Sequence, residues 1–152
     1  AAPAWIIAML VFFCEEDMGY RVSEEYREIG IAVMNDTAEL AYLTECDCRV
    51  EFMASDKRKT SNGKAVLGEC IKVQDLYKDF CPYDFLIVFY EPNIEGMTND
   101  QLKILAEHEL LHVGYEESEN GEPKYFIRPH DYADFKQITD KYGSDWAGGT
   151  QN

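Results

Sequence analysis

Residues 98–114 read TNDQLKILAEHELLHVG, and this stretch predicts the best-defined helix of the chain. Thr98 is a favourable N-cap, and Gln101 follows it at the spacing of a capping box, in which each side chain bonds the other residue's backbone N–H. We expect the helix to continue to about Val113 and to stop at Gly114, because glycine readily adopts the backbone conformation that ends helices.

Two histidines, His108 and His112, lie four residues apart in this helix and therefore on one face, one turn apart. Both imidazoles can bind the same metal ion, whereas Glu109 points in a neighbouring direction, from which its carboxylate meets a water on that ion. Two ligands and a general base make up the HExxH arrangement. In the alternative interpretation the histidines are spaced by four without a metal, but Glu109 would then face into the domain for no reason. The sequence therefore predicts a metal site with Glu109 as its catalytic residue.

A catalytic zinc ion takes three protein ligands and keeps one open position. His130 is the last of only three histidines, and the loop at 114–129 is long enough to bring it back over the metal. Asp131 and Asp134 are alternative third ligands, since carboxylates also bind zinc. Asp131 has two further interpretations, as a cap of the last helix or as a group that orients a ligand histidine. The glycine and the third histidine that mark metzincins do not follow His112 at the required spacing, which excludes that clan.

Outside this stretch, hydrophobic periodicity predicts two more helices and three strands. A backing helix is predicted at 23–44, with Ser23 as its cap and a weak point at Asn35-Asp36. Strands are predicted at 48–54, 65–73 and 84–90. After a polar loop at 116–124 we expect a last helix at 131–143, with Trp146 as a packing anchor. Ser61-Asn62-Gly63 is turn chemistry and Pro92 closes the third strand. The order predicts an α+β domain in two layers, with a small, mostly antiparallel sheet of three to four strands packed on the backing helix and the HExxH helix.

The chain has 152 residues, of which 46% are hydrophobic and 13% aromatic, enough for one domain with one core. Its net charge of -15 argues against a nucleic-acid partner, which needs clustered cations. We interpret the only basic cluster, Lys57-Arg58-Lys59, as a solvated hairpin tip. The apolar run at 1–14 is shorter than the roughly 20 residues that span a bilayer, so no membrane partner is expected. We expect an apolar extension of unassigned origin at 1–17, the domain at 18–146 and a flexible tail at 147–152.

The five cysteines are odd in number and irregularly spaced, which indicates reduced thiols in a reducing compartment. A second, structural zinc site would have to use Cys46, Cys48, Cys70 and Cys81. Such sites usually combine two close cysteine pairs, and only Cys46 and Cys48 form one. Buried apolar thiols are therefore the favoured interpretation.

Several segments of the chain resemble the family described as putative phage metallopeptidase. They are SDKRKTSNGKAVLGEC at 55–70, CPYDFLIVFYEPN at 81–93, EHELLHVG at 107–114, RPHDYADF followed by KYGSDW at 128–146 and, less strongly, LTECDC at 43–48. The resemblance covers roughly residues 18 to 146. It implies a minimal zincin fold, Zn²⁺ bound by His108, His112 and His130, and Glu109 as catalytic residue. We expect a peptide or protein substrate and, if the protein is phage-encoded, the cytoplasm of the host. The family is named largely by its motif, so the resemblance does not imply its substrates.

We expect zinc-assisted hydrolysis of a peptide bond, in which Glu109 accepts a proton from the attacking water and passes it to the leaving amine. Tyr125, Arg128 and Tyr132 are candidate donors to the oxyanion, and an edge strand near 84–90 is expected to hold an extended substrate. Two functions of other classes are alternatives: a zinc-binding phage or host interaction protein without activity, and a metal-dependent hydrolase of a non-peptide bond. The intact Glu109 argues against the first, because a structural site needs no base.

Overall fold

A computed structural model of the chain describes residues 19–131 and 134–148. In chain order its elements are β1 (Tyr20–Val22), α1 (Glu24–Asp36), a 3-10 turn (Ala38–Leu40), α2 (Ala41–Glu45), β2 (Val50–Ser55), β3 (Thr60–Ser61), β4 (Lys64–Ala65), β5 (Gly68–Lys72), a second 3-10 turn (Asp75–Tyr77), β6 (Phe85–Tyr90), α3 (Glu91–Ile94), α4 (Asn99–Leu110), β7 (Val113–Glu117), β8 (Pro123–Ile127) and α5 (Lys136–Tyr142). No helix among these residues is both long and apolar enough to cross a membrane.

Four strands form the main sheet in the order β1-β2-β6-β5. The central pair β2 and β6 is parallel, and the two outer pairs are antiparallel. Helices α1 and α4 cover one face of this sheet, where Phe52, Phe89 and Leu105 are fully buried in one core. The predicted fold class, a two-layer α+β domain with a small and mostly antiparallel sheet, is confirmed.

The capping box of the HExxH helix, α4, forms as predicted. The Thr98 side chain accepts a hydrogen bond from the Gln101 backbone N–H at 3.2 Å, and the Gln101 side chain accepts one from the Thr98 N–H at 2.9 Å. The predicted stop at Gly114 is wrong, because α4 ends at Leu110 and Gly114 lies within β7. There it pairs with Phe126 of β8, and a Cβ at Gly114 would lie 2.4 Å from the Phe126 ring. The glycine thus makes room for a cross-strand aromatic side chain.

The sequence predicts a polar loop at 116–124, after α4. This prediction is wrong, because the stretch forms a β-hairpin of β7 and β8. Lysine and glutamate side chains such as Lys124 and Glu116 face solvent on it and form an ion pair at 3.3 Å, which hides the strand periodicity from sequence inspection. The hairpin matters for the site because β8 leads directly to His130.

The backing helix predicted at 23–44 is correct at its start and wrong in its continuity. Ser23 caps α1 by accepting a hydrogen bond from the Tyr26 N–H at 3.2 Å. The helix ends at Asp36, Thr37 is extended, and the chain resumes as a 3-10 turn and α2. Short polar side chains such as Asn35 and Asp36 compete with the hydrogen bonds of a helix. The helix therefore ends at the point where the sequence predicted only a weak turn.

Two strand predictions also need correction. The strand predicted at 65–73 is divided into β4 and β5, with the turn at Ser61-Asn62-Gly63 closing the β3–β4 hairpin. The strand predicted at 84–90 is present as β6, but it lies between β2 and β5 and is therefore not an edge. The edge strand next to it is β5, and the other edge, β1, was not predicted at all because it has only three residues.

The last helix, α5, begins at Lys136 rather than at Asp131. The Asp131 carboxylate accepts a hydrogen bond from the Lys136 N–H at 2.9 Å, which agrees with the interpretation of Asp131 as a cap. Trp146 packs against the core, as predicted, and the neighbouring Ala147 is buried. The predictions for residues 1–17 and for the end of the tail, 149–152, lie outside the described residues.

Candidate metal centre

His108 lies in the last turn of α4 and is almost completely buried. Its Nδ1 donates a hydrogen bond to Asp134 Oδ1 at 2.5 Å. Because a carboxylate can only accept, Nδ1 carries a proton, and in the neutral ring Nε2 therefore presents a lone pair. The Asp134 carboxylate is itself held by the Trp146 indole N–H and the Phe135 backbone N–H, each at 2.7 Å. Asp134, predicted as an alternative metal ligand, therefore lies behind His108 and orients it.

His112 is held in the same way by the backbone. Its Nδ1 donates a hydrogen bond to the Arg128 carbonyl oxygen at 2.7 Å, so its Nε2 also presents a lone pair. The Arg128 N–H in turn donates to the His112 carbonyl oxygen at 2.7 Å. These two bonds tie the segment after β8 to the end of α4 and fix the direction of the His112 ring.

His130 comes from this same segment, two residues after Arg128, and lies over the other two histidines. Its Nε2 is 3.0 Å from His108 Nε2, and its ring centroid is 4.5 Å from that of His112. Each of the three histidines offers one ring nitrogen, and these atoms all lie within 4.8 Å of one another. The structure thus brings together the three residues predicted as ligands.

The donor set fits a zinc ion. Two of the imidazoles have their far nitrogens hydrogen-bonded to a carboxylate and a carbonyl, which is the usual support of metal-bound histidines. Three nitrogens from one helix end and one returning segment converge, as in a catalytic site with an open fourth position. No other group of three or more His, Cys, Asp or Glu side chains within residues 19–131 and 134–148 is arranged to hold an ion. The alternative cysteine site therefore finds no support among the described cysteines, which are all free.

Glu109 lies beside this cluster and is only 2% exposed. Its Oε1 is 3.9 Å from His112 Nε2, so a single water can contact the carboxylate and a metal at the same time. Burial raises the pKa of the Glu109 carboxyl to about 7, while the nearby His108 opposes the shift. A carboxylate with such a pKa accepts and returns a proton easily near neutral pH.

Gly68 of β5 makes the close approach of Glu109 possible. A Cβ at Gly68 would lie 3.2 Å from Glu109 Oε2 and 3.1 Å from the Val88 carbonyl oxygen, which leaves little room for a side chain. Gly68 was not predicted as part of the site. A lone glycine inside a strand pattern does signal close approach of another group, but the sequence does not say which group approaches.

The histidines differ in their expected protonation. Burial would lower the pKa of His108, but the hydrogen bond to Asp134 and the charges of Glu109 and Asp134 outweigh it and raise that pKa. Burial lowers the pKa of His112 to about 4, and it also lowers the pKa of His130. At neutral pH these two candidate ligands, His112 and His130, are therefore neutral, which is the form that binds a metal ion.

One aromatic side chain packs against all three histidines. The ring centroid of Phe135 lies 5.4 Å from that of His108, 4.9 Å from that of His112 and 5.1 Å from that of His130. Phe135 is fully buried and forms an apolar wall that limits the access of water on one side of the cluster.

The candidate oxyanion donors are placed differently from one another. The Arg128 guanidinium stacks on the Phe135 ring at 4.9 Å and so lies one ring away from the histidines. Tyr125 packs in the core with its hydroxyl 3.4 Å from the Cys46 carbonyl oxygen, to which it donates. Tyr132 lies outside the described residues. Of the two that are described, Arg128 is the one near the cluster.

A buried glutamate next to two helix-borne histidines, with a third histidine brought to the same point, is the arrangement typical of HExxH metallopeptidases. The model of the family described as putative phage metallopeptidase matches residues 18–151, and the chain belongs to this family. Neither a curated protein nor a solved structure shows a significant match to the chain.

Proposed function

We propose that the chain is a zinc-dependent peptidase in which His108, His112 and His130 bind the ion and Glu109 is the general base. The observation that carries the proposal is the convergence of three histidine nitrogens within 4.8 Å beside a buried glutamate. Membership of the metallopeptidase family supports the same conclusion. Three imidazole ligands favour zinc over the harder ions calcium and magnesium, which prefer oxygen.

A zinc ion held by the three imidazoles would supply the Lewis acidity that lowers the pKa of a water and polarises a carbonyl group. The residues of the chain supply the proton transfers. Glu109 accepts the proton of the attacking water and then donates it to the leaving amine, a role that suits its raised pKa. Asp134 and the Arg128 carbonyl keep the ligand rings in place, which preserves the geometry during turnover.

The edge strand β5 is the proposed support for an extended substrate. The Tyr90 N–H donates to the Leu67 carbonyl and the Val73 N–H to the Asp84 carbonyl, so alternate residues of β5 bond to β6. By this alternation the backbone groups of Gly68 and Cys70 point to the open side of the sheet. A peptide that pairs with these groups passes directly by Glu109, which contacts Gly68.

The test compares zinc content and cleavage in Glu109→Gln and the wild type. We expect the variant to retain one zinc by atomic absorption and to lose cleavage of an unfolded protein substrate by at least about 100-fold, because general-base catalysis contributes roughly 10²–10⁴-fold. Exposed Glu116→Gln is the matched control and should cleave at the wild-type rate. Equal cleavage by Glu109→Gln and the wild type would exclude Glu109 as the base, and zinc-loaded wild-type protein that cleaves no peptide bond would exclude the peptidase.

The third ligand is tested separately. His130→Ala should bind zinc more weakly in a competition titration with a chelator, and it should lose activity. Zinc affinity equal to that of the wild type would assign the third position to another residue, of which Asp131 is the closest in sequence. Asp134 is already engaged with His108 and Trp146.

A further inference from the structure

A basic hairpin lies at the start of the edge strand β5. The β3–β4 hairpin and the residues before it carry Lys57, Arg58, Lys59 and Lys64, which are four of the 14 cations of a chain with a net charge of -15. The sequence interpretation of this cluster as a solvated tip explains its exposure. It does not explain why the cations are concentrated here, in a protein whose remaining surface is acidic.

An open cavity of about 440 Å³ lies between the hairpin and β5. It is lined by Lys59, Ser61, Asn62, Lys64, Ala65, Val66 and Glu69. Its volume lies in the lower part of the range of small-ligand sites and is sufficient for a side chain of a bound peptide.

The charges that line the cavity leave a net positive charge. Glu69 is neutralised locally, because its carboxylate accepts hydrogen bonds from the Lys59 ammonium and the Tyr90 hydroxyl. Lys64 has no carboxylate within ion-pair distance among the part of the chain that the structure describes. Its ammonium is therefore available for an anionic group that enters the cavity.

The cavity and the candidate base share one piece of backbone. Gly68 contacts Glu109 on the side of the sheet that faces the helices, and the next residue, Glu69, lines the cavity. Side chains of a strand alternate between the two faces of a sheet. When a peptide pairs with β5, alternate side chains next to the scissile bond therefore point to the cavity side.

The hairpin is held in place and does not depend on a ligand for its position. The Asn93 side-chain amide donates to the carbonyl oxygens of Lys59 and Val66, both at 2.8 Å, and the Val66 N–H donates to the same Lys59 carbonyl at 3.0 Å. This clamp ties both ends of the hairpin to α3, so the cavity keeps its shape before a substrate arrives.

We propose that this cavity is a specificity subsite that binds an acidic side chain of the substrate through Lys64, on one side of the scissile bond. The proposal rests on the peptidase function proposed above and adds the chemical class of substrate, an unfolded segment that contains aspartate or glutamate. The negative charge of the rest of the protein makes the preference local, because acidic peptides are repelled elsewhere on the surface.

The experiment uses the zinc-loaded full chain and peptides in which Glu or Gln is placed in turn at each of the positions around one cleavage site. At low ionic strength we expect kcat/KM to be up to about five-fold higher for Glu than for Gln at a single position on one side of the scissile bond. This factor corresponds to the free energy that an exposed ion pair contributes. The ratio should approach one at high salt, which screens such pairs. Lys64→Glu should invert the ratio. Lys103→Glu makes the same change of net charge at an exposed position of α4 that does not line the cavity, and it should leave the ratio unchanged.

A second measurement does not depend on turnover. Fluorescence anisotropy with zinc-loaded Glu109→Gln should give tighter binding of the Glu peptide than of the Gln peptide, and Lys64→Glu in that background should invert the difference. Cleavage that shows no acidic preference, or a preference equally affected by Lys64→Glu and Lys103→Glu, overturns the subsite and leaves the peptidase intact. Absence of both cleavage and peptide binding overturns the two proposals together.

Discussion

Asp134→Asn is the substitution that tests most directly how the candidate metal centre is held. The Asp134 carboxylate accepts hydrogen bonds from His108 Nδ1, the Trp146 indole and the Phe135 N–H. An asparagine has nearly the same shape but carries no charge, and one of its two positions is a donor. It therefore weakens the hold on the His108 ring without opening a cavity.

The expected magnitude follows from this geometry. Substitution of a group that orients a ligand histidine typically costs 10- to 100-fold in metal affinity, and we expect a loss of this order at pH 8. Asp134 also raises the pKa of His108, although burial alone would lower it. A histidine with a raised pKa keeps its proton to higher pH, so protons compete with zinc more strongly in the wild type than in the variant. The loss of affinity should consequently shrink as the pH falls from 8 to about 5.5.

The assay is a zinc competition titration with a chromophoric chelator at several pH values, on protein freed of metal with EDTA. The control is Asp140→Asn, an aspartate of α5 whose ion pair with Lys136 is exposed. It should leave zinc affinity within about two-fold of the wild type, since exposed pairs contribute at most about 1 kcal/mol. Equal zinc affinities of Asp134→Asn and the wild type at pH 8, or a loss that does not change with pH, would refute the assignment of Asp134 to this role.

Three further predictions concern the core and the base. Gly30→Ala should lower the free energy of unfolding by about 1–3 kcal/mol in urea despite alanine's better helix propensity, because the new Cβ would lie 2.2 Å from the Phe52 ring; an increase would contradict the packing. In EDTA-treated protein, Glu109→Gln should raise the free energy of unfolding by about 3 kcal/mol at pH 8, since burial raises the pKa of Glu109 to about 7 from an ordinary 4.5. A carboxyl group whose pKa is raised on folding makes the folded protein less stable as the pH increases. The stability gained by Glu109→Gln should therefore vanish below about pH 4.5, and a gain that does not change with pH would contradict the raised pKa of Glu109. Gly68→Ala should reduce kcat at least about ten-fold while zinc content stays the same, because the methyl group would contact Glu109 Oε2 at 3.2 Å; unchanged kcat would show that the carboxylate moves freely.

The local signals of the sequence predicted the parts of the fold that depend on neighbouring residues. The capping box at Thr98 and Gln101 and the N-cap at Ser23 both formed, since their partners lie three residues away. The pairing order of the strands was beyond reach, because hydrophobic alternation says which residues form strands and not which strands become neighbours. For this reason β6 was expected at an edge although it lies in the centre of the sheet.

The site divides in the same way. His108, Glu109 and His112 could be chosen from helical spacing alone, and His130 from the scarcity of histidine. The groups that hydrogen-bond the histidine rings could not be predicted in this way. Asp134 was considered only as a metal ligand, and the Arg128 carbonyl belongs to the backbone, so the type of residue gives no sign of its role. Gly114 shows that a strong local signal can also mislead. Glycine at this position suggested the end of a helix, but its actual role is to leave room for the ring of Phe126.

The dependence of His108 on Asp134 and Trp146 has a consequence for biosynthesis. A chain that emerges from the ribosome presents His108 and His112 first, while Trp146, whose indole N–H holds Asp134, follows only after a few more seconds of translation. An unfinished chain therefore contains the HExxH helix but lacks Trp146, whose indole N–H holds the Asp134 carboxylate that accepts a hydrogen bond from His108. A fragment ending at residue 131 should accordingly bind zinc more weakly than the full chain when both are titrated against the same chelator.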